Sequence, residues 1–174
     1  LKAWIKENLQ KNLKLVATDL PFAVFLEKYK SMGGIVEEFL EGDIKESPSV
    51  QCRVTPTGDL EIISTHDQEL GGESGQVYFG AHFPAAVDYA VELGEMGLKV
   101  AAALKERGVL GRFAVDFISV KEKEGWKHFP IEINLRKGGT THPFLMLQFL
   151  TDGRYNIEDG KYYTSKGHLV RYYF

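Results

Sequence analysis

A chain of 174 residues with a net charge of −3 has room for one domain with a real core, or for one domain and part of another. Apolar residues make up 44% and charged residues 26%, an ordinary balance for a soluble globular protein; no stretch approaches the roughly 18 consecutive apolar residues of a membrane helix, and no basic stripe offers itself to nucleic-acid phosphates. The single cysteine, Cys52, rules out an internal disulfide and fits a reducing cytoplasm, while a start at Leu1 without a visible signal peptide reads as a piece of a longer protein.

In chain order, Trp4, Ile5, Leu9 and Leu13 recur at helical spacing and predict an amphipathic helix over 2–13. Asp19 ahead of Pro21 predicts an N-cap for a second helix, with Phe22, Phe25 and Leu26 on its apolar side and Gly33-Gly34 at its end. Residues 35–40 read as a strand running into the polar turn 41–43. Strands at 50–55 and 60–65 flank the turn signal 56–59. A loop is expected over 66–76, holding Gly71, Gly72 and Gly75, and then a strand over 77–83. Ala86, Tyr89, Ala90, Leu93, Gly97, Val100, Ala101 and Leu104 give the stripe of a core-facing helix over 86–107, closed by Gly108. Strands at 112–120 and 127–135 enclose the charged turn 121–125, and a Gly-Gly-Thr-Thr loop leads to a short apolar helix near 144–150. The tail from Asp152 onward is polar and aromatic without a readable pattern. The fold class is α+β, a mainly antiparallel sheet with a long packing helix.

Chemistry concentrates in the last two strands. Side chains alternate between faces, so Ile131, Ile133 and Leu135 point one way and Glu132, Asn134 and Arg136 the other, about 6.5 to 7 Å apart. Glu and Asn offer the oxygen ligands that Mg²⁺ prefers, and Arg offers a fixed fork of donors for phosphate. The wet face of an ordinary antiparallel sheet would carry the same row without consequence. Asp116 on the preceding strand sits amid apolar neighbours and needs a partner. That partner is either the backbone or a base such as Arg112, or a metal shared with Glu132.

The run 111–117, Gly-Arg-Phe-Ala-Val-Asp-Phe, followed by 132–136, Glu-Ile-Asn-Leu-Arg, resembles the metal-binding signature of the ATP-grasp superfamily. Residues 35–42 resemble its adenine-binding hinge. The segments 47–51, 65–68, 75–78 and 136–144 look like a peptide-ligase subgroup related to the pheganomycin-type ligase. The resemblance covers residues 34–153. It implies that Asp116, Glu132 and Asn134 ligate Mg²⁺ (or Mn²⁺), with Glu132 as bridge, and that Arg136 contacts phosphate or the reacting acyl group, with Arg112 either helping or forming a structural salt bridge. It implies that Glu37, Glu38, Phe39 and Leu40 form the adenine hinge, and that Asp43 or Glu46 holds the ribose of ATP. One departure stands out: nothing before residue 35 supplies the phosphate-binding lysine strand and glycine-rich flap of the superfamily. The resemblance thus implies residues 1–33 as a helical remnant of the lid subdomain and 34–174 as the C-terminal nucleotide- and metal-binding subdomain, with activity depending on a preceding part.

The glycine loop over 70–76 does not match a P-loop; it is either a plain connection or a cradle for phosphate or substrate. His66, Gln68, Gly138, Gly139, Thr140, Thr141 and His142 are the residues placed to meet a substrate. His82, His128 and His168 lie on strands or in the tail without an evident partner, and neither a zinc pattern nor a serine elbow is present. The resemblance implies an ATP-dependent carboxylate–amine (peptide-bond-forming) ligase working through an acyl phosphate. The alternatives are an ATP-grasp small-molecule kinase and a non-catalytic nucleotide-binding module. Expected partners are a small-molecule or peptide carboxylate and an amine, with no nucleic acid and no membrane; assembly as a homo-oligomer is left open.

Overall fold

The computed structural model describes residues 1–15, 19–72 and 75–174. These fall into two compact units: residues 1–39 with 72–75, and residues 40–71 with 76–174. Glu73 and Ser74, the middle of the glycine loop proposed as a cradle, lie outside the described residues.

The first unit holds α1 (Lys2–Asn12) and α2 (Phe22–Met32), neither with a buried residue. The cap of α2 is Pro21 in an extended conformation, not Asp19. Phe22, Phe25 and Tyr29 stack along one face at ring distances of 6.3 and 6.0 Å. Gly33 ends the helix with a φ of +74°, a left-handed angle that glycine adopts without a Cβ clash. The strand expected over 35–40 does not form: residues 33–40 are irregular. β-propensity alone does not make a strand, because a ladder needs a neighbour to take its backbone hydrogen bonds.

The second unit is built on β1 (Lys45–Val54), β2 (Leu60–Gly71), β3 (Val77–Phe83), α3 (Ala90–Glu106), β4 (Gly111–Glu122), β5 (Gly125–Asn134), α4 (Thr141–Thr151), β6 (Arg154–Asn156), β7 (Lys161–Tyr163) and β8 (Tyr172–Tyr173). Six strands form one antiparallel sheet in the order β5-β4-β1-β2-β3-β8. β2 is twice as long as expected and absorbs 66–71. It lies between β1 and β3 and pairs with both, and two flanking ladders override the loop-like composition. Pro48 sits inside β1, where the β1–β4 ladder is interrupted between Glu46 and Ser49, so its missing N–H breaks nothing there.

One face of the sheet packs on α3. Val50, Cys52 and Val54 of β1 and Phe113, Val115 and Phe117 of β4 meet Ala90, Leu93 and Ala101. The helix starts at Ala90 rather than 86, because the Asp67 carboxylate holds the approach: it accepts from the Ala86 N–H at 2.8 Å and from the Tyr89 hydroxyl at 2.6 Å. Gly108 closes α3 at φ +79°, with bonds from Gly108 N to Lys105 O and from Val109 N to Leu104 O, as its position after the stripe predicted. Gly97 lets the helix approach β1: a Cβ there would lie 2.6 Å from Val50 Cγ1. Gly97→Ala should therefore cost on the order of 1–3 kcal/mol of stability, measured by denaturant unfolding. An unchanged midpoint would mean that α3 is not wedged against Val50.

The other cluster is aromatic. Phe83 is ringed by His66, Phe144, Tyr155, Tyr162 and Tyr172, with centroids 5.0–6.2 Å away. The tail supplies three of these rings: β6 and β7 form a hairpin and β8 extends the sheet beside β3. His66 is thus no loop residue but a fully buried one, and burial pushes its imidazole down to about 3. The unfolded chain takes up this proton near the ordinary 6.5 while the folded chain does not. Its contribution to stability is present above that value and is lost as pH falls toward 3, with a slope approaching about 1.4 kcal/mol per pH unit. His66→Phe should flatten the stability–pH curve between pH 6 and 4 by about one proton; an unaltered slope would mean that the ring protonates in place.

Candidate metal and nucleotide site

Register gathers the polar row. β4 and β5 set Asp116 opposite Glu132 and Ala114 opposite Asn134. β1 sets Ser49 opposite Asp116, and β2 sets His66 opposite Ser49. Paired residues share a face, so His66, Ser49, Asp116 and Glu132 form one rung across four strands, on the face away from α3. Asn134 donates from Nδ2 to Asp116 Oδ2 at 3.0 Å. Of the expected apolar row only Ile133 is set on the α3 side, opposite Val115: the register shift between Asp116 and Phe117 skips Ile131, Leu135 lies beyond β5, and all three are exposed at the sheet's edge.

The pKa of Asp116 is raised. Burial is the largest cause; the Ser49 hydroxyl bond opposes it, and the facing charge of Glu132 adds to it. A half-buried carboxylate facing a second one is under-compensated, and a cation between them would remove the penalty. Among the described residues no group of three or more His, Cys, Asp or Glu comes together in a metal-holding arrangement. The chain therefore offers two carboxylates and an amide rather than a closed cage. That donor set fits Mg²⁺, which keeps several waters and shares its shell with substrate phosphates.

The other expected residues distribute differently. Arg136 follows β5 directly; its charge lowers the Asp116 pKa, and its Nη1 donates to Lys137 O at 3.2 Å. Arg112 is not gathered in: it lies four residues from Asp116, roughly 13 Å along the strand, and stands opposite Arg53. Burial and that like charge lower its pKa, and no Arg112–Asp116 salt bridge exists among the described residues. Glu46 lies on the α3 side of β1: burial, then Asp67 and Asp88, raise its pKa. Asp43 is exposed, as are Glu37, Glu38 and Phe39 of the first unit, while Leu40 is half-buried at the start of the second. Gln68 is a half-buried strand residue opposite Ser47 and Ala81.

Gly138, Gly139, Thr140 and Thr141 connect β5 to α4. Gly138 N donates to Thr141 Oγ1 and Thr141 N to Gly138 O, both at 3.1 Å. The turn is thus braced from within, and the buried Thr140 Oγ1 has no hydrogen-bond partner among the described residues. His142 is exposed at the start of α4. Two residues of this region were not legible in sequence. Ser49 reaches Asp116 only through strand pairing. Tyr78 of β3 lies against Gly139, where a Cβ would sit 3.5 Å from its ring, and Asp116 helps raise its hydroxyl pKa, after burial and Tyr173.

Two histidines expected to lack partners have them. His82 Nε2 meets Glu69 Oε1 at 2.7 Å, and His128 Nδ1 meets Ser119 Oγ at 2.6 Å with Glu92 3.6 Å from Nε2. This Ser–His–Glu line resembles a hydrolase relay, but Ser119 has no exposed surface, so no substrate reaches it. Among the described residues no helix is long and apolar enough to cross a membrane.

An antiparallel sheet backed by one long helix, with Asp on one strand of a hairpin and Glu-x-Asn on the next, is the ATP-grasp fold in part. Biotin carboxylase from Campylobacter jejuni, solved with β-γ-ATP, superposes with a TM-score of 0.55 at 16% identity, over 75% of this chain and 28% of that one. The biotin carboxylase domain of the Hydrogenobacter thermophilus 2-oxoglutarate carboxylase, solved with MgADP, ADP and bicarbonate, superposes with a TM-score of 0.54 at 18% identity, over 75% and 27%. The chain belongs to the IQCH-like ATP-grasp family, whose model matches residues 5–158. It is 34% identical over 153 residues to the L-propargylglycine–L-glutamate ligase of Streptantibioticus cattleyicolor, across 88% of this chain. It spans 30% of that ligase's length.

Proposed function

We propose that this chain carries the metal- and nucleotide-binding half of an ATP-dependent carboxylate–amine ligase. The carrying observation is the rung that sets Asp116 opposite Glu132 with Asn134 bonded alongside; the likeness to a ligase that joins two amino acids supports it. In this reading Asp116, Glu132 and Asn134 would hold Mg²⁺ or Mn²⁺, which would supply positive charge against the phosphoryl group being transferred. Arg136 sits beside the rung to pair with a phosphate or acyl oxygen. Ser49 steadies Asp116 from the neighbouring strand. A substrate carboxylate attacks the γ-phosphorus and releases ADP. An amine then attacks the acyl carbon to form the C–N bond, the C–O bond to phosphate breaks with its electron pair leaving on the phosphate oxygen, and the amine's proton passes to solvent. Residues 34–174 are the C-terminal subdomain in this scheme and 1–33 the remnant of the lid; 35–40 are assigned to the adenine and Asp43 or Glu46 to the ribose.

The test uses the full-length protein with Mg-ATP, amino acids and dipeptides, and hydroxylamine as a general amine. ADP and hydroxamate appearing together are expected, since hydroxylamine captures an activated carboxylate. ADP without hydroxamate would replace the ligase reading with a kinase or an idle ATPase. Nucleotide binding without either product would replace it with a binding module.

A further inference from the structure

A second cleft lies at the end of the sheet, between the segment after β3 and the C-terminal tail. Two adjoining cavities, of about 310 and about 580 Å³, share a wall of Pro84, Ala85, Val87 and Arg171. Both volumes fall in the range of ordinary small-ligand pockets. The cleft is polarised. One cavity carries Lys161 and the shared wall carries Arg171, and neither makes a salt bridge among the described residues. The other cavity carries Asp67 and Asp88. The apolar lining is Val87 on the shared wall and Leu169 in the cavity of Lys161, both largely exposed.

This is not the metal site. The Asp67 carboxylate reaches the start of α3 through Ala86 and Tyr89, whereas its chain neighbour His66 stands on the Asp116 rung. Successive strand residues point to opposite faces, so the acidic end opens on the far side of the sheet from Asp116.

We propose that this cleft binds a short zwitterionic peptide. Its C-terminal carboxylate pairs with Arg171 and Lys161, its apolar side chain covers Val87 and Leu169, and its ammonium group faces Asp88. A guanidinium and an ammonium converging on one carboxylate make charge-assisted hydrogen bonds. Unpaired cations beside exposed apolar side chains suit an amphipathic anion better than free phosphate. Across the cleft, Asp88 accepts from the Trp126 Nε1–H at 3.0 Å but has no cationic partner among the described residues, which adds the demand for a positive group.

The probe is the dipeptide alanyl-leucine, titrated into the protein by calorimetry in the absence of nucleotide. Its C-terminal amide and its N-acetyl form each remove one charge. Both should bind roughly tenfold more weakly, as should the dipeptide to Arg171→Gln, since one charge-assisted bond is lost in each case. Asp88→Asn should weaken the dipeptide but leave the N-acetyl form unchanged, which a mere loss of folding would not do. Thermal unfolding of both variants checks that they fold; Lys161→Gln replaces any that does not. Equal affinity for the dipeptide and its amide, or heat released equally by wild type and Arg171→Gln, would overturn the proposal. So would no binding of the dipeptide at all. Because the titration contains neither ATP nor Mg²⁺, its outcome is separate from that of the ligase reading.

Discussion

Glu132→Ala is expected to lower Mg-ATP-dependent turnover by at least about a hundredfold, the usual scale for removing one group that stabilises developing charge. The same change should leave the metal-free fold intact. Glu132 is exposed on the edge strand, and its charge faces Asp116, whose pKa it helps to raise. Its removal relieves that repulsion, so the unfolding midpoint of the metal-free protein should hold or rise slightly. Any stabilisation that wild type gains from Mg²⁺ with nucleotide should vanish in the variant. ADP release across a Mg²⁺ titration, with thermal unfolding in parallel, reads both effects. Glu124→Ala, in the exposed β4–β5 turn, serves as the control. If the Glu132 variant turned over like wild type, the pairing with Asp116 would be an ordinary solvent-face contact and the metal assignment would fall.

Phe83→Ala should cost the fold about 3–5 kcal/mol, the range for deleting a fully buried aromatic side chain. For a chain of this size that corresponds to a fall in Tm of roughly 10 °C or more. Phe83 is 1% exposed and touches a strand histidine, a helix phenylalanine and three tail tyrosines. The cavity would open where five rings meet, and partial collapse cannot refill it without moving several elements. Loosening should be greatest in the tail, visible as faster amide exchange across β7 and β8. Phe149→Ala is the comparison: that ring is 85% exposed, and its loss should fall within about 0.5 kcal/mol. If both variants melted alike, the ring cluster would not be what anchors the tail.

The locally encoded parts of this protein were legible from residue order. The α3 stripe, Gly108 as its closure, the β4–β5 hairpin and the common face of Glu132 and Asn134 all depend on periodicity and turn chemistry within a few residues. The Asp and Glu-x-Asn pattern belongs to the same class, since a hairpin brings its two strands together by a short turn. What sequence misjudged depends on distant partners. The expected strand at 35–40 is irregular, while the loop expected at 66–71 is strand, because backbone hydrogen bonds follow whichever neighbour is present and not local propensity. His66 moved from a substrate loop into the core for the same reason. The tail offered no pattern by itself; its tyrosines became ordered parts of the fold only against Phe83, a residue some seventy to ninety positions earlier in the chain. Spacing thus determined the β4–β5 hairpin, and the family likeness rested on the motifs at 111–117 and 132–136. Tertiary pairing alone decided that Ser49 adjoins Asp116, that Tyr78 lies against Gly139, that Arg112 stands apart, and that a charged cleft opens at the end of the sheet, because each of these is set by which strand lies beside which.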